Sequence, residues 1–473
     1  MHDIRPRRRV PSTRHWIGLG ISFLFLGLLA QMSAGFVHDE DWCVHGVWCL
    51  GGLVLTVPIF AAAVRSPFDF LLTNHRAMFV YAFALYFLFG ALLLAAGPVD
   101  QAEYSLAFYP IGVRAALRVD TMNAIGFGVA LVVSGITRGG FLGREARRAA
   151  SIVNQVKPTT AIALMLTVGA AALLAVIPVD LESRGGVVSG ILRSTAQLPV
   201  VSVLIASAVQ GRCEIVLRLA AIGLALIQCA IGLVLFNKSA VMLPLAALTA
   251  GLAWRFGSSR VLPLGMIGLT AVFMMIGGPT AYARNVFVFN GGGILEARWT
   301  TFLEGLSAWD DNSATHYSAW ARLCHVPVQA AALDFYDNGD GGDDLTLVPW
   351  LPIPRMFAAS KPVITRSAVD FNVKLTGSDT SSTGMGVFVS GYYNGGWVGL
   401  LLAGALCGLL LSLTSAVATN IVEQRGFLML PLALLGLYTA FRVDGDIVAD
   451  YLGSFVVVLT VLAITTCFSR LKC

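Results

Sequence analysis

Apolar runs close to twenty residues long recur along almost the whole of this chain, and they dictate most of what it can fold into. A lipid interior offers no hydrogen-bond partner to a free peptide group, so each run must satisfy its own backbone as a helix. Twelve runs can be placed, at 16–36, 43–64, 77–96, 119–137, 159–179, 194–210, 217–236, 240–254, 261–278, 387–413, 427–441 and 450–468. The sixth and eighth are short or interrupted by proline. Only 12% of the 473 residues are charged, against roughly 25% in soluble domains. The fold class is therefore an all-α polytopic membrane protein. Its expected organisation is a membrane region over 1–278 with spans one to nine, a long loop with short helices over 279–386, and a membrane region over 387–473 with spans ten to twelve. The first run is one of many and lacks a small-residue cleavage site, so a removable signal peptide is not expected.

Basic residues orient the bundle. With the N-terminus inside, the inner segments hold 19 Lys and Arg, and the outer segments hold 13, seven of them in the long loop. Long loops translocate largely regardless of charge, so the meaningful contrast is 19 against 6, which places both termini in the cytoplasm. Acidic residues divide the other way, 5 inside and 22 outside. The formal net charge of +5 is thus a topology signal and not a nucleic-acid one. Of the eight cysteines, only Cys43 and Cys324 are expected outside, which argues against a disulfide framework.

The polar, proline-punctuated stretch 345–400 is where chemistry is expected, because it runs from the long loop into span ten. It carries Arg355, Lys361, Arg366 and Lys374, then Tyr392, Tyr393 and Asn394. Further outer cations are Arg114, Arg118, Arg184, Arg193, Lys238, Arg284, Arg298, Arg322 and Arg442. Charge near a membrane is costly unless it is matched, so these residues ask for anionic partners. Guanidinium forks suit phosphate oxygens, and a lipid-linked diphosphate is an anion at the right depth. The outer carboxylates are the competing partners. Trp299, Trp309, Trp320, Trp350, Trp397, Tyr392 and Tyr393 could stack on sugar rings or form an interfacial belt.

His316 and His325 stand nine apart, which is not a metal-ligand spacing. The run DNGDGGDD (337–344) fails the calcium-loop pattern and reads as a solvated turn. With no phosphate-cradling glycine loop, an ATP-driven pump is not expected, and the sequence carries neither a zinc spacing nor a nucleophile elbow.

IPRMFAASKP (353–362) resembles the loop signature of bacterial O-antigen and exopolysaccharide repeat-unit polymerases of the Wzy type, in which a Pro-Arg pair shortly precedes Lys-Pro. YYNGGWVG (392–399) is similar to their Tyr-x-Asn-Phe-Gly-x-x-Gly approach to the next span. By motif the matches are Arg355, Lys361, Tyr392, Asn394, Gly396 and Gly399, with Arg322 and Arg442 weaker. Ser390 stands where many members carry Glu, and Gly395 replaces Phe.

The resemblance implies a metal-independent glycosyltransferase in the bacterial inner membrane, without a cofactor. It would move an undecaprenyl-diphosphate-linked oligosaccharide onto the terminal sugar of another lipid-linked repeat unit at the periplasmic face. The implied catalytic residues are Arg355, Lys361, Arg442, Asp444 and His316, with Asp370 and Glu296 as further proton acceptors. Lys238, Arg322, Arg366, Arg298, Arg193, Tyr392, Tyr393 and Asn394 would bind substrate. The implied partners are the lipid-linked glycan, membrane lipids, a chain-length regulator and a flippase. An O-antigen ligase-like transferase shares this topology and cationic rim. A flippase for the same lipid would instead need polar or broken helices at the midplane.

Overall fold

The computed structural model describes residues 13–65, 72–95, 109, 111–137, 140–153, 156–182, 195–209, 214–236, 238–256, 261–289, 295–307, 323–353, 358, 360–362, 364, 367–377, 383–424, 426–460 and 463. Among these residues the regular structure is helical throughout, with no strand. Seven helices are long and apolar enough to cross a membrane: Thr13–Ala34, Trp42–Ala62, His75–Leu94, Val113–Ile136, Pro158–Val176, Ile215–Val234 and Val387–Glu423. The chain is an all-α, multi-pass membrane protein. Four shorter apolar helices, Leu198–Ala208, Ala240–Phe256, Phe427–Phe441 and Ile447–Thr460, fall on the expected sixth, eighth, eleventh and twelfth runs. The ninth is a helix that continues to Phe289, past its expected end at 278.

In chain order, α1 is Thr13–Ala34, α2 Trp42–Arg65 and α3 His75–Phe83, which continues through a π-turn and a 3-10 turn to Leu94. Then come α4 Val113–Ile136, α5 Gly140–Val153, α6 Pro158–Glu182, α7 Leu198–Ala208, α8 Glu214–Val234, α9 Lys238–Phe256 and α10 Val261–Phe289. The expected long loop supplies α11 Leu295–Ser307, α12 Val326–Asp337, a 3-10 turn Asp344–Trp350 and α13 Ser367–Thr376. The chain closes with α14 Val387–Glu423, α15 Leu430–Phe441 and α16 Ile447–Thr460, the last opening as a π-turn.

Two apolar clusters organise these helices. The first gathers α1 to α4, α12 and the first half of α14 around Phe23, Phe79, Phe83, Phe127 and Phe388. Phe83 stacks on Phe127 at 3.8 Å between centroids, and Phe23 meets Phe127 edge-on at 4.8 Å. The second cluster gathers α5 to α9 and α15, and the far end of α14 joins it through Val417, Ala418 and Ile421. α14 is the element common to both. On α1, α2 and α8, large apolar side chains such as Phe25, Val54 and Leu226 point outward, as lipid-facing side chains must.

Without a hydrophobic drive between helices inside lipid, close backbone approach becomes the means of association. α14 presents Gly404 and Gly408, one turn apart, to the backbone of α4. A Cβ added at these positions would lie 2.6 Å from the Gly126 carbonyl oxygen and 2.3 Å from that of Ala130. Gly20 of α1 and Gly128 of α4 meet the same way, each 2.8 Å from the other's carbonyl. Gly408→Val should therefore push α14 off α4 at a cost of about 1–3 kcal/mol, the usual range for overpacking. The check is a lower unfolding midpoint in detergent. Gly223→Ala, where a Cβ meets nothing within 4 Å, should leave the midpoint unchanged or slightly raised.

Candidate functional site

The site is built on a break in α14. Gly395-Gly396 interrupts the helix, with Gly396 at φ +58°, ψ −147°, a conformation closed to L side chains. A Cβ there would also run into the Tyr336 hydroxyl, at 2.5 Å. The break frees backbone groups just before it, and the acidic glycine loop 337–344 takes them up. Gly342 N donates to Tyr393 O at 2.9 Å. The Asn394 amide completes the joint. Its Nδ2 donates to Ser390 O at 2.9 Å and to Asp344 Oδ2 at 3.2 Å, while its Oδ1 accepts from Asp344 N at 2.7 Å.

Asp344 is consequently only 6% exposed. Burial, reinforced by the Asp446 carboxylate, pushes its carboxyl up to about 6 from an ordinary 3.8, and the bond from Asn394 opposes the shift. A carboxyl in that range can take and return a proton near neutral pH.

The segment after α15 forms the other wall. Asp444 O accepts from Gly386 N at 3.2 Å and Val443 O from Val387 N at 2.9 Å, tying this turn to the start of α14. Asp446 caps α16, with Oδ1 accepting from Val448 N at 2.7 Å and Ala449 N at 2.9 Å. Its other oxygen accepts from the Ser390 hydroxyl at 2.7 Å. A carboxylate thus reaches position 390 from α16, although residue 390 itself is not acidic.

Arg442 lies 3.3 Å from Asp450 and 3.7 Å from Asp444. Burial disfavours its charge, but these two carboxylates outweigh that and hold the guanidinium more firmly protonated than usual. His325 sits beside this pair, with Nδ1 facing Gly384 O at 3.4 Å and Nε2 buried without a hydrogen-bond partner. Burial first lowers its pKa, Asp444 partly offsets that, and the ring is held neutral.

Around the break, the hydroxyls of Tyr392 and Tyr393 are each tied into an ion pair. The Arg118 guanidinium is 2.5 Å from Asp337 and also donates to the Tyr392 hydroxyl at 3.1 Å. That hydroxyl donates to Asp337 Oδ1 at 3.0 Å. Lys374 donates to Asp340 at 2.7 Å and to the Tyr393 hydroxyl at 3.1 Å. Tyr336 and Trp397 meet the Tyr392 ring edge-on, and Phe371 does the same for Tyr393.

Of the residues expected to act, Asn394 joins Asp344 at the break, Tyr392 and Tyr393 precede it on α14, and Arg442 pairs with Asp444 in the turn after α15. Lys361 donates from Nζ to Ile353 O at 2.8 Å and to Leu351 O at 3.5 Å, bracing the turn just ahead of Arg355. Arg355, Arg366, Arg322, Arg193 and His316 lie outside the described residues. Lys238 opens α9 and Glu296 falls in the first turn of α11, and for both only the backbone is described. Arg298 lies on α11 where that helix packs against α8 and α10, with its guanidinium 5.8 Å from the Phe236 ring. Asp370 is exposed on α13.

Asp344 and Asp446 were not singled out by the sequence. The loop read as a solvated turn is docked on α14, and Asp344 is its buried end. Nothing local to DNGDGGDD foretells this, because the partner that buries Asp344 is Asn394, fifty residues on. No protein-family model, curated protein or solved structure matches the chain.

The raised Asp344 carboxyl has a measurable sign. Between its ordinary value and about 6 the folded state holds a proton that the unfolded state releases. Stability from this group is fully present below about 3.8 and is lost as pH rises through about 6. The unfolding midpoint of Asp344→Asn should therefore fall less than wild type across that window. Parallel curves would count against the assignment.

Proposed function

We propose that this chain is a membrane glycan polymerase of the Wzy type. In this reading it joins lipid-diphosphate-linked oligosaccharides at the periplasmic face of the bacterial inner membrane, with twelve spans and both termini in the cytoplasm. The observation that carries the reading is the coupling of Asn394, a motif residue at the head of span ten, to a buried carboxyl poised near neutrality. A proton acceptor at the end of an apolar bundle suits attack by a sugar hydroxyl on a lipid-borne donor.

The acceptor hydroxyl oxygen attacks the anomeric carbon of the donor, and the bond from that carbon to the diphosphate oxygen breaks. The hydroxyl proton passes to Asp344, and the lipid diphosphate leaves with the bonding pair. Negative charge grows on the leaving group, where fixed cations stabilise the transition state with little reorganisation. Arg442 and Arg355 take that role. Lys361 braces the Arg355 loop through the carbonyls of Leu351 and Ile353. Arg442 is shared between Asp444 and Asp450, so a diphosphate must displace a carboxylate to reach it. Tyr392 and Tyr393 shape the acceptor side. The chain-length regulator and flippase are partners of the same proposal.

The test is the ladder of polysaccharide lengths made by cells carrying each variant at equal membrane abundance. Arg355→Ala and Lys361→Ala should each cut extension by roughly 100-fold or more, the loss usual for one fixed stabilising group. Asp344→Asn should abolish extension, and wild-type extension should decline as pH drops below about 6. Wild-type ladders from Arg355→Ala and Asp344→Asn would overturn the site. A single transfer to a different acceptor would identify a ligase, and movement of the lipid without transfer a flippase.

A further inference from the structure

A second constellation lies away from the break, where α2 crosses α4. His45 and Cys49 stand four residues apart on α2 and share one helix face, an i, i+4 pair of ligand types overlooked in the sequence. The fold adds Asp120 from α4. One ligand atom from each of the three lies within 4.8 Å of the others, and all three residues are buried. Asp120 Oδ2 is 2.6 Å from His45 Nδ1, and its Oδ1 is buried with no hydrogen-bond partner. His45 Nε2 faces the Cys49 sulfur at 3.7 Å and the Ala91 carbonyl oxygen at 3.1 Å.

This spacing is that of a ligand shell. Tetrahedral zinc takes sulfur at roughly 2.3 Å and nitrogen at roughly 2.0–2.1 Å, which sets the two donors about 3.5 Å apart. A carboxylate on the remote ring nitrogen is the usual partner that orients a metal-binding histidine. The fold also delivers another thiol. Leu323 presses its carbonyl against Gly90, where a Cβ would lie 2.2 Å away, and Gly90 is the neighbour of Ala91. The next residue, Cys324, is 6% exposed in the same apolar core, outside the 4.8 Å cluster of the other three. Cys49 and Cys324 are free thiols.

We propose that His45 Nε2 and Cys49 Sγ bind a thiophilic divalent cation, with zinc as the fitting ion and Cys324 Sγ drawn in as a further donor on binding, and that Asp120 positions His45 through Nδ1–H. On binding, the two thiols and Nε2 give up their protons to solvent and the ring keeps its Nδ1 proton on Asp120. The ion pins the Cys324 end of the long outer segment to α2 and α4. It takes no part in glycosyl transfer, so the proposal stands independently of the polymerase reading.

The experiment uses the full chain in detergent, stripped with a chelator and dialysed, then titrated with zinc against a chromophoric chelator and with cobalt as a spectroscopic probe. The expected result is one tight equivalent per chain and, with cobalt, a thiolate charge-transfer band with the intense visible bands of a tetrahedral ion. Cys49→Ser should remove the equivalent. Cys324→Ser, which leaves the helix-borne pair intact, should weaken zinc at least tenfold and so decides the matter if Cys49→Ser does not fold. Asp120→Asn should loosen binding roughly 10- to 100-fold without changing the count. No tight equivalent in wild type, or an equivalent of unchanged affinity in Cys324→Ser and in any folded Cys49→Ser, would overturn the site and leave a buried His–Asp pair.

Discussion

The clamp between Asn394 and Asp344 is the interaction on which the site depends. A helix broken inside or beside a membrane leaves peptide groups that water cannot reach, and they must be met by protein. Here the Gly395–Gly396 break makes the demand, and the 342–344 loop meets it through Tyr393 O and the Asn394 side chain. The same bonds that repair the backbone take Asp344 out of water. Structural repair and the raising of the Asp344 carboxyl pKa are thus one event.

Charge balance at this end of the bundle follows from the same geometry. Arg118, Lys374 and Arg442 each face a carboxylate, Asp337, Asp340 and the Asp444–Asp450 pair. These cations are therefore held in place before any anion arrives, and their carboxylates keep them affordable so close to apolar helices. The arrangement is less a bare positive rim than a set of charge pairs.

Much of the fold was legible in the chain. Among the described residues seven helices are long and apolar enough to cross a membrane, because burying unsatisfied peptide groups in lipid leaves no alternative to a helix. The short helices of the long outer segment were harder to place, since their boundaries follow from docking and not from hydropathy. At the site, Arg442, Asp444, Tyr392, Tyr393 and Asn394 were legible as residue types beside a span. Charge alone carries no address: Arg298 was legible as an outer cation, but its place on α11, against α8 and α10, comes from packing.

What the sequence determined by itself was the helical, membrane-crossing character of the chain and the position of its polar stretch. Both depend on local quantities, the length of an apolar run and the solvation of its backbone. Only the tertiary structure decided that Asp344 is buried, that Asp446 brings a carboxylate to Ser390, and that His45, Cys49 and Asp120 converge. Those outcomes rest on contacts between residues fifty or more positions apart, set by the glycine faces through which α4 meets α1 and α14.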